Sequence, residues 1–231
     1  MHLKRVRIRS DLFPTREHYP FSLEVLQRTE DLEFPTAVTF FVGENGCGKS
    51  TLLEAITRSC RIHIWRGDQR TRYAWNPHEG ELYRFVEKQW ANGGVPGCYF
   101  ASQTFHGFSR ILDEWASSDP GVLEYFGGRS LLTQSHGQSL MSFFRSRFVL
   151  RGLYLLDEPE TALSPKTQLA LLQLLGSGIE EGRAQFIIAT HSPILLSCPG
   201  ATIYSFDHIP IRRVAYQDTE QYRVYREFMR E

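Results

Sequence analysis

The chain lacks any apolar run of the roughly 18 residues that a membrane-crossing helix requires. It is also short of paired thiols: Cys47, Cys60, Cys98 and Cys198 are its four cysteines, and none stands in Cys-x-x-Cys spacing. Neither a zinc knuckle nor a disulfide framework is therefore indicated, and reduced thiols are expected. Charge of one sign is missing too, with 26 Lys and Arg against 26 Asp and Glu. That balance argues against a surface coated throughout by nucleic acid, while leaving a local basic patch open. No repeat, low-complexity segment or heptad run occurs, which removes solenoids and coiled-coil arms. The start Met1-His2-Leu3-Lys4-Arg5 has no apolar signal core, so the expectation is a cytoplasmic protein without membrane insertion. A chain of 231 residues can bury a core that needs no covalent staples, and one α/β domain over 1–231 is the default.

What is present is organised around Gly43-Glu44-Asn45-Gly46-Cys47-Gly48-Lys49-Ser50-Thr51. The apolar, β-branched run Ala37 to Val42 precedes it, and Leu52, Leu53, Ile56 and Cys60 follow at helical spacing. Strand, glycine loop and helix together make a P-loop. Glycines let successive N–H groups turn inward at a helix start, making a concave anion site that fits a polyphosphate. Lys49 supplies a cation for the β- and γ-phosphates, and the Ser50 hydroxyl is a hard oxygen ligand suited to Mg²⁺. Thr51 is placed to support the α-phosphate. Cys47, near a helix N-terminus, is expected to have a lowered thiol pKa.

Elsewhere the patterns predict strands at Leu3 to Arg9, with Arg5, Arg7 and Arg9 on one side, and at Phe21 to Val25. The arginine row reads as an exposed edge or as a nucleic-acid contact. Tyr19 and Phe21 are candidates to stack on adenine, with core packing the competing role for Phe21. Residues 66–150 read as a mostly helical insert, with helices at Glu79 to Trp90 and Phe105 to Ala116, a short strand at Gly97 to Ala101, and Asp119-Pro120 as an N-cap followed by a first-turn proline. Ser102-Gln103-Thr104 follows that strand. Ser135 reads as the N-cap of a helix carrying Leu140, Phe143, Phe144 and Phe148. A buried strand at Leu153 to Leu156 ends in Asp157-Glu158-Pro159-Glu160; a helix then runs from Ser164-Pro165 to a stop at Gly176 and Gly178. Gln185 to Thr190 is another buried strand, delivering His191 at its end. Strands at Ile203 to Phe206 and Ile211 to Tyr216 and a short polar helix complete the chain.

Buried strands alternating with helices, with polar residues just past strand ends, describe a parallel sheet with ligands at its carboxyl edge. In its motifs the sequence resembles the ATP-binding-cassette (ABC) ATPases. Gly43 to Thr51 is similar to Walker A, Leu153 to Glu158 to Walker B, and Ser135 to Ser139 to a variant signature motif in which His136 replaces a glycine. Gln103 falls at the Q-loop position, Thr161 to Ser164 at the D-loop, and His191 at the switch histidine. The runs Glu158-Pro159-Glu160-Thr161 and Ala189-Thr190-His191-Ser192-Pro193 are more similar to soluble RecF, SMC and overcoming-lysogenization-defect relatives, including small AAA-family ATPases, than to transporter subunits.

The resemblance implies a P-loop NTPase fold of ABC type: a mostly parallel sheet flanked by helices, with an N-terminal antiparallel β part and a helical subdomain. It implies ATP and Mg²⁺ as ligands. Asp157 and Ser50 are then candidates to hold Mg²⁺, and Gln103 to reach that metal or the attacking water; Glu158 would activate the water, and His191 would sense the γ-phosphate. Ser135, Gly137 and Gln138 would meet ATP held by a second copy, so an ATP-dependent homodimer acting on an unidentified protein partner is expected. DNA repair or defence is the setting implied, and an ABC transporter's ATP-binding subunit is the alternative.

Overall fold

The computed structural model describes residues 1–65, 76–180 and 182–230. Strand β1 (Leu3–Ile8) buries Val6 and Ile8 by alternation, and Leu3 joins them through a shift of register between Leu3 and Arg5. After it come helix α1 (Glu24–Arg28), β2 (Asp31–Glu33), β3 (Val38–Val42) and α2 (Lys49–Ser59). Next are β4 (Val86–Trp90), β5 (Gly97–Ala101), α3 (Ser102–Ser118) and α4 (His136–Phe148). The last part holds β6 (Gly152–Asp157), α5 (Pro165–Glu180), β7 (Ala184–Ala189), α6 (Pro193–Leu196), β8 (Thr202–Ser205), β9 (Arg212–Arg213) and α7 (Glu220–Phe228).

The main sheet has the order β5-β6-β7-β3-β8-β9, parallel throughout except for the β8–β9 pair. Strands β3, β6 and β7 are buried at every position, the reason their sequences read as unbroken apolar runs. Alternation sends their side chains to two cores. Phe40, Leu156 and Ile188 join the aromatic residues of α3 and α4 on one face. Phe41, Leu155 and Ile187 join Leu52, Leu53 and Ile56 of α2 and the small sheet on the other. That small sheet, antiparallel with order β2-β1-β4, is the expected N-terminal β part. Gln185 of β7 fastens it: Oε1 accepts the N–H groups of His2 and Leu3 at 2.8 and 2.7 Å, and Nε2 donates to Leu3 O at 2.9 Å.

Several expectations are corrected. Phe21 to Val25 is not a strand; Phe21 packs its ring near Phe13 and Phe85, and α1 begins at Glu24. Three alternating apolar residues fit a short helix equally well once adjacent Val25 and Leu26 both have a core to enter. Glu79 to Trp90 is not a helix either: it forms a 3-10 turn at Leu82–Phe85 and then β4. Strand β1 presents an edge whose backbone groups need partners, and the pairing Ile8↔Val86 through Leu3↔Trp90 satisfies them. Helix α5 runs through Gly176 and Gly178 rather than stopping; a Cβ at Gly178 would lie 3.2 Å from Ala184 Cβ and 3.5 Å from the Phe186 ring, whereas one at Gly176 would meet nothing within 4 Å. Gly178 serves close packing of helix on strand. Of Ile211 to Tyr216 only Arg212–Arg213 pairs as strand.

Of the insert expected at 66–150, residues 66–75 lie outside the described residues. The rest supplies α3, α4 and 3-10 turns at Pro120–Phe126 and Leu131–Thr133, together with β4 and β5. Asp119 caps the first of these turns by accepting the Gly121 N–H at 3.1 Å. No described helix is long and apolar enough to cross a membrane.

Because Gln185 is wholly buried and its loss strands the His2 and Leu3 N–H groups, Gln185→Ala is expected to reduce stability by about 3 kcal/mol. Urea unfolding measures this. A loss smaller than about 1 kcal/mol would show that water replaces the amide.

Candidate functional site

At the carboxyl edge of the parallel sheet, β3 leads into the P-loop and α2. Gly43, Gly46 and Gly48 take φ of +143°, +80° and +105°, which a side chain at these positions would resist. Lys49 is 5% exposed, and its ammonium donates to Gly43 O at 2.7 Å and Glu44 O at 2.8 Å. The cation thus arches back across its own loop. Asn45 and Cys47 complete the loop, and Thr51 Oγ1 lies 2.8 Å from the Tyr19 hydroxyl. Tyr19 is 46% exposed beside the loop, whereas Phe21 is fully buried, so of the two only Tyr19 offers a free ring face.

Strand β6 delivers Asp157 opposite α2. Ser50 Oγ donates to Asp157 Oδ1 at 2.9 Å, which joins the two oxygen groups expected to hold Mg²⁺. Burial is the main reason the Asp157 carboxyl is pushed up to about 6; the Ser50 hydroxyl opposes the shift, and neighbouring Glu158 adds to it. A site that destabilises a carboxylate in this way, beside a hydroxyl and a phosphate cradle, fits a divalent cation.

The chain turns sharply at Glu158, whose φ of +48° is unusual for a residue with a side chain. Its N–H extends the ladder to Ala189 O at 2.9 Å. The carboxylate Oε1 then faces His191 Nε2 at 3.8 Å, so the sequence-distant pair Glu158 and His191 is brought together by the β6–β7 pairing. Glu160, which the sequence offered only as part of a run, accepts the His191 N–H at 2.7 Å. Burial pushes its carboxyl upward, opposed by the His191 N–H and the Thr190 hydroxyl. Gln103 stands exposed in the first turn of α3, two residues beyond Ala101, the register partner of Asp157. Its amide has no hydrogen-bond partner among the described residues.

The signature-like residues face elsewhere. Ser135 is the N-cap of α4, and Gln138 Oε1 accepts the Ser135 N–H at 3.2 Å. Gly137 permits close approach of the turn after Glu158, since a Cβ there would lie 3.2 Å from Ala162 O. Ser135, Gly137 and Gln138 open into a cavity of about 930 Å³ whose walls also carry Arg129, Arg145 and Lys166. No P-loop residue lines it, nor do Asp157, Glu158 or His191. His136 is exposed beside the edge of the Phe105 ring.

Two readings change with the structure in hand. Burial raises the Cys47 thiol above its ordinary range, outweighing Lys49, so the expected lowering is not found. The arginine row is neutralised: Arg5 and Arg7 meet Asp31 at 3.7 and 3.0 Å, and Arg9 meets Asp11 and Glu87 at 2.8 and 2.6 Å. Sequence reasoning missed Asp207, whose Oδ1 accepts the Glu44 N–H at 2.8 Å and braces the P-loop from β8. No local pattern marks such a residue, since only the β3–β8 pairing carries it there.

Residues 131–197 match the family described as "AAA domain, putative AbiEii toxin, Type IV TA system", and residues 21–61 match an AAA domain family. Among curated proteins the chain is similar to the iron(3+)-hydroxamate import ATP-binding protein FhuC of Bacillus subtilis, with 30% identity over 65% of this chain and 62% of that protein. A probable siderophore transport system ATP-binding protein, YusV, from the same organism is 25% identical over 70% of this chain and 63% of its own length. The chain thus spans less than two thirds of either relative. In fold it is similar to the SMC head domain of Thermotoga maritima, with a TM-score of 0.51, 17% identity and coverage of 93% and 99% of the two chains. An ATP-binding cassette of an ABC transporter in its ADP conformation gives 0.57, with 14% identity and coverage of 97% and 98%.

The Asp157 shift has a consequence for metal-free, nucleotide-free protein. With the folded pKa near 6 and an unfolded value near 4, the folded state holds this proton more tightly. Stability from the protonated form is full below about pH 4 and is lost as pH rises through 6, by roughly 3 kcal/mol in total. Asp157→Asn is expected to remove that loss. Urea unfolding of both proteins from pH 4 to 8 tests it, and a constant difference across the range would contradict it.

Proposed function

We propose that this chain, an ABC-class P-loop ATPase by fold, binds ATP with Mg²⁺ and hydrolyses it within a dimer that forms on ATP. The observation that carries the reading is one edge of one sheet presenting the P-loop lysine, the 2.9 Å Ser50–Asp157 pair and the 3.8 Å Glu158–His191 pair. Gly43 to Thr51 bind the phosphates, with backbone N–H groups and the α2 N-terminus favouring negative charge. Lys49 exchanges its bonds to Gly43 O and Glu44 O for phosphate oxygens. Ser50 and Asp157, with Gln103 from α3, would hold Mg²⁺, which neutralises charge that develops on the phosphates.

Glu158 accepts a proton from, or orients, the attacking water, and His191 donates from its imidazole to the γ-phosphate. Its Nε2 is buried with no hydrogen-bond partner among the described residues, a donor position awaiting an acceptor. Ser135 and Gly137 open away from this cluster, which supports completion of the site by a second copy: each signature helix N-terminus meets the ATP of its partner across a two-fold axis. Opening after hydrolysis would pass motion to a protein partner, in DNA repair or defence.

The two importer relatives favour a second reading, an ATP-binding subunit that drives separate membrane subunits. The chemistry at the sheet edge is common to both readings.

Lys49→Ala is expected to lower ATP turnover by at least about 100-fold. Glu158→Gln should reduce turnover by about 100-fold or more while leaving ATP binding intact. With ATP and Mg²⁺, light scattering of Glu158→Gln should shift from monomer to dimer mass. A variant that binds ATP yet stays monomeric would defeat trans completion by Ser135. Turnover in wild type no faster than in Lys49→Ala would defeat hydrolysis itself.

A further inference from the structure

The buried carboxylate of Glu160 has no place in the scheme above. It stands in the turn that follows Glu158, and that turn is tightly made: Thr161 N–H and Oγ1 both bond Glu158 O, at 3.3 and 3.0 Å, and Leu163 N–H bonds Glu160 O at 2.8 Å. The turn directs the Glu160 side chain back toward β7, where Oε1 accepts the His191 N–H at 2.7 Å. Its other oxygen, Oε2, is buried without a hydrogen-bond partner among the described residues. Placing a carboxylate there costs desolvation free energy that an apolar residue would avoid, so a role for its acceptor is called for.

That role follows from what the bond joins. Asp157 and Ala189 are the last register partners of β6 and β7, and Glu158 N–H to Ala189 O is the last backbone bond between them. Beyond this point the chains diverge: one turns toward α5, the other enters α6 through Ser192 and Pro193. Glu160 supplies one further cross-link at the residue that carries the imidazole. A second lies just past it, where Ser192 Oγ donates to Gln168 Oε1 at 2.5 Å and Gln168 Nε2 holds Leu163 O at 3.0 Å.

We propose that Glu160 is a positioning residue: by accepting the His191 N–H it locks the loop bearing His191 to the loop bearing Glu158, so that carboxylate and imidazole meet the γ-phosphate as one rigid pair. This rests on the hydrolytic reading above. In this role Glu160 acts on turnover through His191. Small misplacement of a catalytic group is costly; about 1 Å can remove on the order of 100-fold in rate.

Two measurements test the proposal. Native-state amide exchange on the nucleotide-free protein reads the bond directly and needs no turnover. Glu160→Ala is expected to speed exchange of the His191 N–H by at least about 10-fold, a loss of protection worth about 1.4 kcal/mol, with Glu160→Gln restoring protection through its amide oxygen. Unchanged protection in Glu160→Ala overturns the inference even if ATP hydrolysis stands. The second measurement is a double-mutant cycle in steady-state ATP turnover. Glu160→Ala should lower kcat by about 10-fold or more with KM for ATP within about twofold, Glu160→Gln should recover most of that loss, and Glu160→Ala in a His191→Ala background should cost nothing further. Multiplying losses overturn the inference, as does a Glu160→Gln variant as slow as Glu160→Ala. Should Glu160→Ala fail to fold, Glu160→Met, which fills the volume and offers no comparable acceptor, takes its place in both experiments. A wild-type protein without turnover would count against the hydrolytic reading alone, because amide exchange still decides the bond.

Discussion

The site depends on a carboxylate held where water solvates it poorly. Strand β6 is buried along its whole length, and Asp157 at its end is 9% exposed, so its charge must be met by other groups. Ser50 meets it directly and Lys49 contributes at longer range, yet burial still outweighs both in pushing the carboxyl up to about 6. The divalent cation proposed for Ser50 and Asp157 would relieve that imbalance. On the proposed reading, nucleotide binding with its cation would relieve this buried charge.

The parallel sheet makes this arrangement possible. Parallel neighbours end together, so β3, β5, β6 and β7 release the P-loop, Gln103, Asp157 with Glu158, and His191 along one edge. The apolar runs that keep β3, β6 and β7 buried on both faces also fix their register, and a slip of one residue would exchange Leu155 for Leu156 between the two cores. Packing and chemistry share one cause. The small antiparallel sheet, fastened through Gln185, stands against the α2 face and adds nothing to the edge itself.

Within the turn from Glu158 to Leu163 the backbone adopts a conformation that a free peptide resists, with Glu158 at φ +48°. The strain is held by bonds from both ends: Ala189 O receives the Glu158 N–H, and Glu160 receives the His191 N–H. The same turn leans on Gly137, so the signature-like helix and the turn that carries Glu158 meet through a few atoms of backbone.

What the sequence determined by itself is what short-range chemistry encodes: glycine spacing at Gly43, Gly46 and Gly48, apolar runs at Val38, Leu153 and Phe186, and caps at Ser135 and Asp119. These features are local, and the structure carries each of them. Phe21 to Val25 and Glu79 to Trp90 were misread because propensity over a few residues is weak, and a waiting strand edge or an open core outweighs it. Gly178 differs from its sequence reading for a related reason, since a glycine that serves close packing looks the same as one that ends a helix; Gly176, where a Cβ would meet open space, is simply carried within α5. Asp207 at Glu44 and Glu160 at His191 belong to tertiary structure alone, because each bond joins residues far apart in sequence that only sheet pairing brings within reach.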